Sequence, residues 1–268
     1  MIRVGVIGAA GRMGQLVCKA VADDPDLALV AAVDRSHAGE AIGNRLGHPD
    51  LNLVISEEDQ TLLQAETEVA VDFTHPDVVF ENIQWCIDHA IHIVVGTSGI
   101  SHEQLGEIEY LLDKEGNESN VMIVPNFAMG AVLAQRFATM AARFFPAVEI
   151  IELHHDQKAD APSGTALDTA MRLAKSREDG YRGPESESLE GSRGGDIDGI
   201  RIHSVRLPGL VAHQEVIFGS AGQTLTIRHD SMDRTSFLPG ILLAVKRIHE
   251  FPGLTVGLEP LLDLPSAP

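Results

Sequence analysis

The sequence is poor in cysteine, in aromatic residues and in positive charge, and it has no long apolar run. Its two cysteines, Cys18 and Cys86, are too few for a secreted disulfide framework. Both lie in apolar helical patterns, which predicts buried, unreactive thiols rather than a nucleophile. No run approaches the roughly 18 apolar residues that a membrane span needs, and no signal peptide precedes the first predicted strand. We therefore expect a cytoplasmic protein.

The charge balance excludes further classes of protein. A formal net charge of −19 argues against binding to nucleic acid and to anionic membranes. The apolar fraction of 44 % is sufficient for a packed core, so global disorder is not expected. If the ligands are anionic, the few cations near the motifs must bind them, and the candidates are Arg12, Arg35 and Lys158.

The first half of the chain alternates short β-branched runs with amphipathic segments. This alternation predicts a doubly wound parallel sheet of the α/β class. Ser101 and Gln104 have the spacing of a capping box at the start of one helix. The predicted strands are residues 2–7, 28–33, 69–73, 91–95 and 121–124, and the predicted helices are residues 11–23, 76–89 and 102–114.

After Pro125 the pattern changes to that of a second, smaller α+β domain. Residues 177–199 are rich in Gly, Ser and Glu, which predicts a long mobile loop. Three strands that follow one another in series indicate antiparallel sheet. The predicted helices are residues 130–144, 164–176 and 236–250, the last returning to the first domain, and the predicted strands are residues 148–154, 200–207, 211–218 and 223–229.

A glycine-rich turn, Gly8-Ala-Ala-Gly-Arg-Met-Gly14, follows the first predicted strand and opens a helix. Its glycines permit a tight turn, and its backbone can approach a pyrophosphate at the helix N-terminus. Asp34 lies at the end of the second strand, where an acid bonds the adenine ribose hydroxyls. Asp34 favours NADH because a carboxylate repels a 2′-phosphate, whereas Arg12 and Arg35 favour NADPH. The sequence thus leaves both cofactors open.

Three later segments follow predicted strand ends, where the ligands of open α/β sheets bind. They are Asp72-Phe-Thr-His-Pro76, Gly96-Thr-Ser-Gly99 and Val124-Pro-Asn-Phe127. Each either lines a nicotinamide pocket or is a simple turn.

The segment from Glu152 to Thr165 concentrates the chemistry. His154 and His155 can move protons near neutral pH, and Lys158 is a point cation. Ser163-Gly-Thr165 is typical of a helix N-terminus, whose free N–H groups attract anions. A metal site is disfavoured, because the lysine would repel a cation. The segment therefore predicts a site that binds a carboxylate and supplies a proton.

These residues resemble the dihydrodipicolinate reductase family. The family pattern E-L-H-H-x-x-K-x-D-A-P-S-G-T-A starts at Glu152, and V-x-I-G-A-A-G-R-M-G starts at Val4. Asp72-Phe-Thr, Gly96-Thr-Ser-Gly99, Pro125-Asn-Phe127 and the segment 204–219 also resemble the family, in its order, so the resemblance spans nearly the whole chain. Ser98 stands where many members have threonine.

The resemblance implies NAD(P)H-dependent reduction of a cyclic dicarboxylate in diaminopimelate and lysine synthesis. It implies a Rossmann-like domain, residues 1–127 with 236–268, that binds NADH or NADPH. A domain of residues 128–235, with a mixed or antiparallel sheet, would bind substrate and build a homotetramer.

The resemblance also implies a role for each matching position. His154 and Lys158 would be the catalytic proton-transfer residues, and His155, Gly164 and Thr165 would bind substrate. The implied cofactor-binding residues are Gly8, Ala9, Ala10, Gly11, Arg12, Met13, Asp34, Arg35, Gly96, Thr97, Ser98, Val124, Pro125, Asn126 and Phe127.

Two alternatives remain open from the residues alone. A non-catalytic NAD(P)H-binding redox sensor would keep the glycine turn but would not need the His–Lys–Gly–Thr cluster. Another two-domain dehydrogenase, acting on a sugar or a semialdehyde, would share the fold. A semialdehyde dehydrogenase that uses a thioester needs a cysteine at its site, and neither Cys18 nor Cys86 is so placed.

Overall fold

The first half of the chain forms alternating strands and helices, as its pattern predicts. The structure is a computed structural model that describes residues 1–114, 116–177 and 186–264. Two short helices, α2 and α3, were missed in the sequence because five residues are too few to show helical periodicity. The elements are β1 (Ile2–Ile7), α1 (Arg12–Asp23), β2 (Leu27–Val33), α2 (Ile42–Leu46), α3 (Gln60–Gln64), β3 (Val69–Asp72), α4 (Pro76–Asp88), β4 (His92–Val95), α5 (His102–Leu112) and β5 (Asn120–Ile123).

The capping box at the start of α5 is confirmed. The Ser101 hydroxyl accepts the Gln104 N–H at 3.2 Å, and the Gln104 side chain accepts the Ser101 N–H at 2.9 Å. Each bond satisfies one backbone donor that the first turn of a helix leaves without a partner.

The second half contains longer strands, and the chain ends with a helix and a strand. The loop predicted over residues 177–199 is wrong at its end, where a short strand forms, and residues 178–185 lie outside the described residues. The elements are α6 (Met129–Ala142), β6 (Ala147–His154), α7 (Gly164–Lys175), β7 (Gly195–Ile197), β8 (Ile200–Arg206), β9 (Ala212–Ser220), β10 (Gln223–Ser231), α8 (Leu238–Arg247) and β11 (Gly253–Val256).

The first sheet is parallel and has the order β11-β5-β4-β3-β1-β2. This confirms the predicted doubly wound, Rossmann-like fold. The strand order reverses at β1, which has β2 on one side and β3 on the other. In open α/β sheets, ligands bind outside the carboxyl ends of the strands at such a reversal. β11 was missed in the sequence because it follows the last helix and has only four residues.

The second sheet is mixed and has the order β10-β9-β6-β8-β7. The expectation of three strands paired in series is wrong for β8 and β9, because β6 lies between them. β8 pairs parallel to β6, and β9 pairs antiparallel to β6 on its other edge. The connection from β8 to β9 therefore passes the end of β6, where the Leu207 N–H donates to the His154 carbonyl at 3.1 Å.

One face of β6 is buried beneath helices α6 and α7. Val148 and Ile150 lie on this face and pack in one apolar cluster with Ala138, Ala170 and Phe218. Side chains of a strand alternate between faces, so the next residue on the same face is Glu152. Its side chain is 0 % exposed, which is exceptional for a carboxylate and requires paired charges.

The described residues divide into two compact units. One comprises Met1–Phe127 with Phe237–Leu264, and the other comprises Ala128–Ser236. Residues 265–268, which the sequence analysis assigned to the first domain, lie outside the described residues. In the part of the chain that the structure describes, no helix is long and apolar enough to cross a membrane.

Candidate active site

The glycine-rich turn sits where the first sheet reverses its strand order. Gly8 follows β1 with φ +80°, and a Cβ there would lie 2.6 Å from the Phe73 carbonyl oxygen. A Cβ on Gly14 would overlap the Gly8 carbonyl oxygen, so only glycine lets α1 start this close to β1. The turn thus presents its backbone and the N-terminus of α1 at the ligand-binding edge of the sheet.

Asp34 holds this turn in place. One oxygen of its carboxylate accepts the Ala10 N–H at 3.0 Å, and the other accepts the N–H and hydroxyl of Ser36. Burial raises the pKa of Asp34, but the hydrogen bonds from Ser36 and Ala10 outweigh it, so the pKa lies below its usual value. A carboxylate has about four acceptor sites, and three are used here. The remaining one is available to a ribose hydroxyl.

A cavity of about 310 Å³ opens beside the turn, within the first unit. Its walls are formed partly by residues predicted to bind the cofactor and partly by residues to which sequence analysis gave no role. Arg35 is exposed at its edge, and its positive charge acts on the carboxylate of Asp59 across the cavity. The lining residues are Ile7, Gly8, Gly11, Val33, Asp34, Arg35, Ser36, Asp59, Phe73, Thr74, His75, Val78 and Asn82. A cavity of this size, with the Asp34 carboxylate in its wall, fits the adenosine half of a dinucleotide.

Asp72, considered as a pocket residue from its sequence position, is instead buried and structural. Its carboxylate accepts the N–H and hydroxyl of Thr74 at 3.0 and 2.8 Å and the Asn82 amide at 2.7 Å. It also accepts the Thr97 hydroxyl at 2.7 Å. The hydrogen of the Thr97 hydroxyl is therefore engaged within the protein, so this hydroxyl can only accept a further hydrogen bond.

The other predicted cofactor residues also lie at the strand ends of the first unit. Ser98 and Pro125 are exposed, whereas Val124 and Phe127 are buried, and the Phe127 ring lies 5.9 Å from that of Phe73. The remaining predicted positions fall on the glycine turn or on the loops after β4 and β5, namely Ala9, Gly11, Arg12, Met13, Gly96 and Asn126.

The buried Glu152 is the centre of a second cluster. It lies two residues before His154 on the same face of β6, and the His154 Nδ1 contacts its Oε2. Arg206 forms a bidentate pair with it, with Nη1 3.0 Å from Oε2 and Nη2 2.8 Å from Oε1. Sequence analysis assigned no role to Glu152 or Arg206. The i, i+2 spacing of Glu152 and His154 on a predicted strand was the signal that could have found the acid.

The electrostatics of the pair follow from its contacts. Burial raises the pKa of Glu152, but hydrogen bonds from Arg206, Ser204 and His154 outweigh it, so the pKa is lowered. Burial lowers the pKa of His154; Glu152 opposes this, and Lys158 and Arg206 reinforce it, so the net shift is downward. The imidazole is therefore neutral near pH 7 until a bound anion raises its pKa.

Lys158 and His155 follow the end of β6. His155 is exposed, and the Lys158 N–H donates to its carbonyl at 3.2 Å in a turn. The Lys158 Nζ lies 2.8 Å from the Asp160 Oδ1, with the lysine side chain 23 % exposed and the aspartate 58 % exposed. The lysine thus has an acidic partner of its own in the free protein.

Helix α7 begins immediately beyond this turn. The Ser163 hydroxyl accepts the Ala166 N–H at 3.2 Å, and the Ser163 N–H donates to the Glu152 Oε1 at 3.3 Å. Gly164 and Thr165 come next, and within the described residues their N–H groups make no hydrogen bond. A Cβ on Gly164 would meet no atom within 4 Å, so this helix end is open to an anion.

Neither cysteine belongs to these clusters. Burial raises the pKa of the Cys18 thiol to about 12, and it raises that of Cys86 further. Both are buried and unpaired in the first unit. Thiolate chemistry is therefore excluded at either position. Over the described ranges, no group of three or more His, Cys, Asp or Glu side chains is arranged to hold a metal ion.

A glycine-rich turn at the point where a Rossmann-like sheet reverses its order, together with a His–Glu–Arg cluster beside an open helix N-terminus, is typical of a nicotinamide-dependent oxidoreductase of an anionic substrate. The comparisons with known proteins specify the class. The family described as dihydrodipicolinate reductase, N-terminus, matches residues 2–127, and its C-terminal counterpart matches residues 130–262. The chain belongs to the dihydrodipicolinate reductase family.

Similar full-length proteins carry the same name. The chain is 53 % identical to the 4-hydroxy-tetrahydrodipicolinate reductase of Nocardia farcinica (strain IFM 10152), over 98 % of this chain and 99 % of that one. It is 52 % identical to the enzyme of that name from Mycobacterium sp. (strain KMS), over 98 % and 100 %. The solved structure of dipicolinate-bound dihydrodipicolinate reductase from Paenisporosarcina sp. TG-14 aligns with a TM-score of 0.85 at 42 % identity, over 97 % and 99 %.

These findings confirm the predicted activity. The chain is an NAD(P)H-dependent oxidoreductase that reduces 4-hydroxy-tetrahydrodipicolinate in diaminopimelate and lysine biosynthesis. The alternative of a cofactor-binding sensor without catalysis is set aside. The alternative of a sugar or semialdehyde dehydrogenase is set aside as well.

Proposed function

We propose that the cluster around His154 and the start of α7 is where this reductase binds its dicarboxylate substrate. One observation carries the proposal: a single buried carboxylate, that of Glu152, contacts both the His154 ring and the Ser163 N–H at the cap of α7. The proton-transfer group and the anion-binding helix end are therefore held together. The similar structure from Paenisporosarcina sp. TG-14 contains dipicolinate, a planar cyclic dicarboxylate of the same kind.

One substrate carboxylate would sit on the N–H groups of Gly164 and Thr165. These donors carry the positive end of the α7 dipole, and the open space at Gly164 permits close approach. Exposed His155 and the ammonium of Lys158 lie on the same segment and would contact the substrate carboxylates. A bound dianion would draw Lys158 away from Asp160, because two carboxylates outcompete one exposed aspartate.

Elimination of the substrate's hydroxyl group as water, with loss of a hydrogen from the neighbouring ring carbon, would leave a conjugated ring that takes up one hydride and one proton. When bound, NADH or NADPH would supply the hydride to an unsaturated carbon of this ring. Negative charge then develops along the conjugated ring and must be quenched by a proton. His154 would donate that proton, because the charge of the bound substrate raises its pKa from the lowered value of the free site. Lys158 would stabilise the developing charge and serve as a second donor.

The cofactor would bind to the first unit. The pyrophosphate would lie on the turn from Gly8 to Met13 and the adenine ribose on Asp34, beside the 310 Å³ cavity. The exposed guanidinium groups of Arg12 and Arg35 provide partners for a 2′-phosphate, so both cofactors would be used. The segments Gly96–Ser98 and Val124–Phe127 would line the nicotinamide side.

We further propose that the enzyme is a cytoplasmic homotetramer assembled through its second unit. β10 is a nine-residue edge strand, and most of its side chains, including Leu225, are exposed. A long exposed edge strand favours pairing with another sheet. Light scattering at micromolar concentration should give the mass of four chains.

The substrate site is tested by replacing Gly164 with Val. A Cβ at this position meets no protein atom within 4 Å, so the fold should be retained, but the branched side chain would occupy the space in front of the helix N-terminus. Dipicolinate affinity should fall by roughly tenfold or more, and the KM for substrate should rise, while NADH binding persists. The matched control is Gly106→Val, on an exposed face of α5 where a Cβ also meets nothing. Equal dipicolinate affinity in the two variants would contradict the proposed site.

A further inference from the structure

We propose that Glu152 and Arg206 form a positioning pair that fixes the tautomer of His154, so that its Nε2 alone exchanges a proton with the substrate. The inference rests on the proposed role of His154 as the proton donor. It adds to that role an ion pair between the buried Glu152 and the partly buried Arg206, which would act without contacting the substrate. Both residues act only through the imidazole.

The topology places the groups on one face of the second sheet. Glu152 pairs with Ser204 and His154 pairs with Arg206 in the parallel register of β6 and β8. All four side chains therefore point the same way, and Arg206 reaches diagonally to Glu152. The β8–β9 connection passes the end of β6 and is bonded to it there, so the strand order fixes which of these side chains meet.

The acceptor sites of the Glu152 carboxylate are all occupied by hydrogen-bond donors. It accepts two bonds from Arg206, one from the Ser163 N–H and one from the Ser204 hydroxyl, in addition to the contact with His154. An ionised carboxylate only accepts hydrogen bonds. The His154 Nδ1 must therefore carry a hydrogen, which leaves Nε2 as the atom that gains and loses a proton.

Arg206 decides which partner holds the proton. A buried carboxylate without a cation would be a strong base and would take the Nδ1 proton from the imidazolium. The bidentate guanidinium keeps Glu152 ionised, so the proton stays on the ring and leaves through Nε2. Arg206 is itself held, because its Nη2 donates to the Asp160 carbonyl at 2.6 Å. That bond also ties the turn that carries Lys158 to the pair.

Glu152→Gln tests the pair by inverting its hydrogen bonds. The carbonyl oxygen of the new amide would turn toward the donors of Arg206, which presents the amide NH₂ group to His154. The ring would then have to accept at Nδ1 and carry its hydrogen on Nε2. The kcat should fall by roughly 10²–10⁴-fold, as expected for a lost general acid or a wrong histidine tautomer. The KM for the nicotinamide cofactor should not change.

The strand supplies a matched control on its opposite face. Glu149 also pairs with an arginine and a histidine, Arg193 and His203, but it is partly exposed and lies away from His154. Glu149→Gln removes a Glu–His–Arg cluster of the same composition. This variant should leave kcat unchanged. It therefore distinguishes the effect of losing the positioning pair from the effect of destabilising β6.

A readout independent of turnover is the ¹⁵N NMR spectrum of histidine-labelled protein, with the His154 signals assigned by their loss in His154→Gln. The unmodified chain should show His154 protonated at Nδ1, and Glu152→Gln should show it protonated at Nε2. The measurement on the unmodified chain needs no folded Glu152 variant.

The outcomes separate this inference from the proposed function. An Nε2–H tautomer in the unmodified chain, or equal kcat in the Glu152→Gln and Glu149→Gln proteins, would overturn the positioning pair. Normal kcat in His154→Gln would instead overturn the donor role on which the pair depends, whatever the tautomer.

Discussion

The ion pair between Lys158 and Asp160 gives a direct test of whether the lysine acts on substrate. Two variants break the same 2.8 Å contact from opposite sides. Lys158→Met removes the ammonium but keeps the apolar stem, and Asp160→Asn removes the acid but keeps the ammonium. If the pair is only structural, the two variants should behave alike.

The expected changes in stability and in kcat/KM differ enough to distinguish a structural role of Lys158 from a role in binding substrate. An ion pair this exposed contributes about 0–1 kcal/mol to stability, so either variant should change the urea midpoint little. A charge-assisted bond from Lys158 to a substrate carboxylate is worth about 1.5–3 kcal/mol, or roughly 10–150-fold in kcat/KM. Loss of a proton source would lower kcat further. Asp160→Asn should keep or improve kcat/KM, because the ammonium loses its competing partner.

The assay is substrate-dependent oxidation of NADH, followed by absorbance, with both variants measured beside the unmodified enzyme. Urea unfolding of the same samples reports stability. The proposed mechanism predicts a large fall in kcat/KM for Lys158→Met only. If both variants show a small stability loss and normal kinetics, Lys158 is a surface residue and its assignment is wrong.

Two further predictions concern the cofactor and pH. Asp34→Ala removes the acceptor of the Ala10 N–H and the negative charge that repels a 2′-phosphate. In fluorescence titrations, NADH affinity should therefore fall more than NADPH affinity. An unchanged ratio of the two affinities would mean that the exposed arginines, and not Asp34, distinguish the two cofactors. Burial lowers the pKa of His92, His154 and His229, so the folded state binds fewer protons than the unfolded state. The burial of these three histidines in the neutral form therefore contributes fully to stability above about pH 6.5, the pKa of a histidine in the unfolded chain. This contribution is lost as the pH falls through the lower pKa values of the folded protein. The urea midpoint should drop between about pH 8 and about pH 5.5, and a constant midpoint would refute this.

The sequence predicted the elements whose residues carry a local signal. The glycine turn, the Ser101 capping box and the start of α7 at Gly164 each depend on a few adjacent residues with fixed backbone requirements. The buried strands of the first sheet were found for a similar reason, since parallel strands covered on both faces are continuous apolar runs.

The features that were missed depend on pairing across long separations. The Arg206 contact with Glu152 exists only because β8 lies parallel to β6, whereas strands in series suggested another order. The short β11 joins the sheet through pairing with β5, which its own four residues do not signal. The hydrogen bond from the Thr97 hydroxyl to the buried Asp72 likewise joins residues 25 positions apart, which no local pattern signals.

The central claim is that His154, held on β6 by a buried carboxylate, supplies the proton of the reduction. The most direct measurement is the kcat of His154→Gln, with NADH affinity determined on the same preparation. The account predicts a fall of roughly 10²–10⁴-fold in kcat with NADH affinity unchanged, because the histidine lies outside the unit to which the dinucleotide is proposed to bind. A kcat close to that of the unmodified enzyme would contradict it.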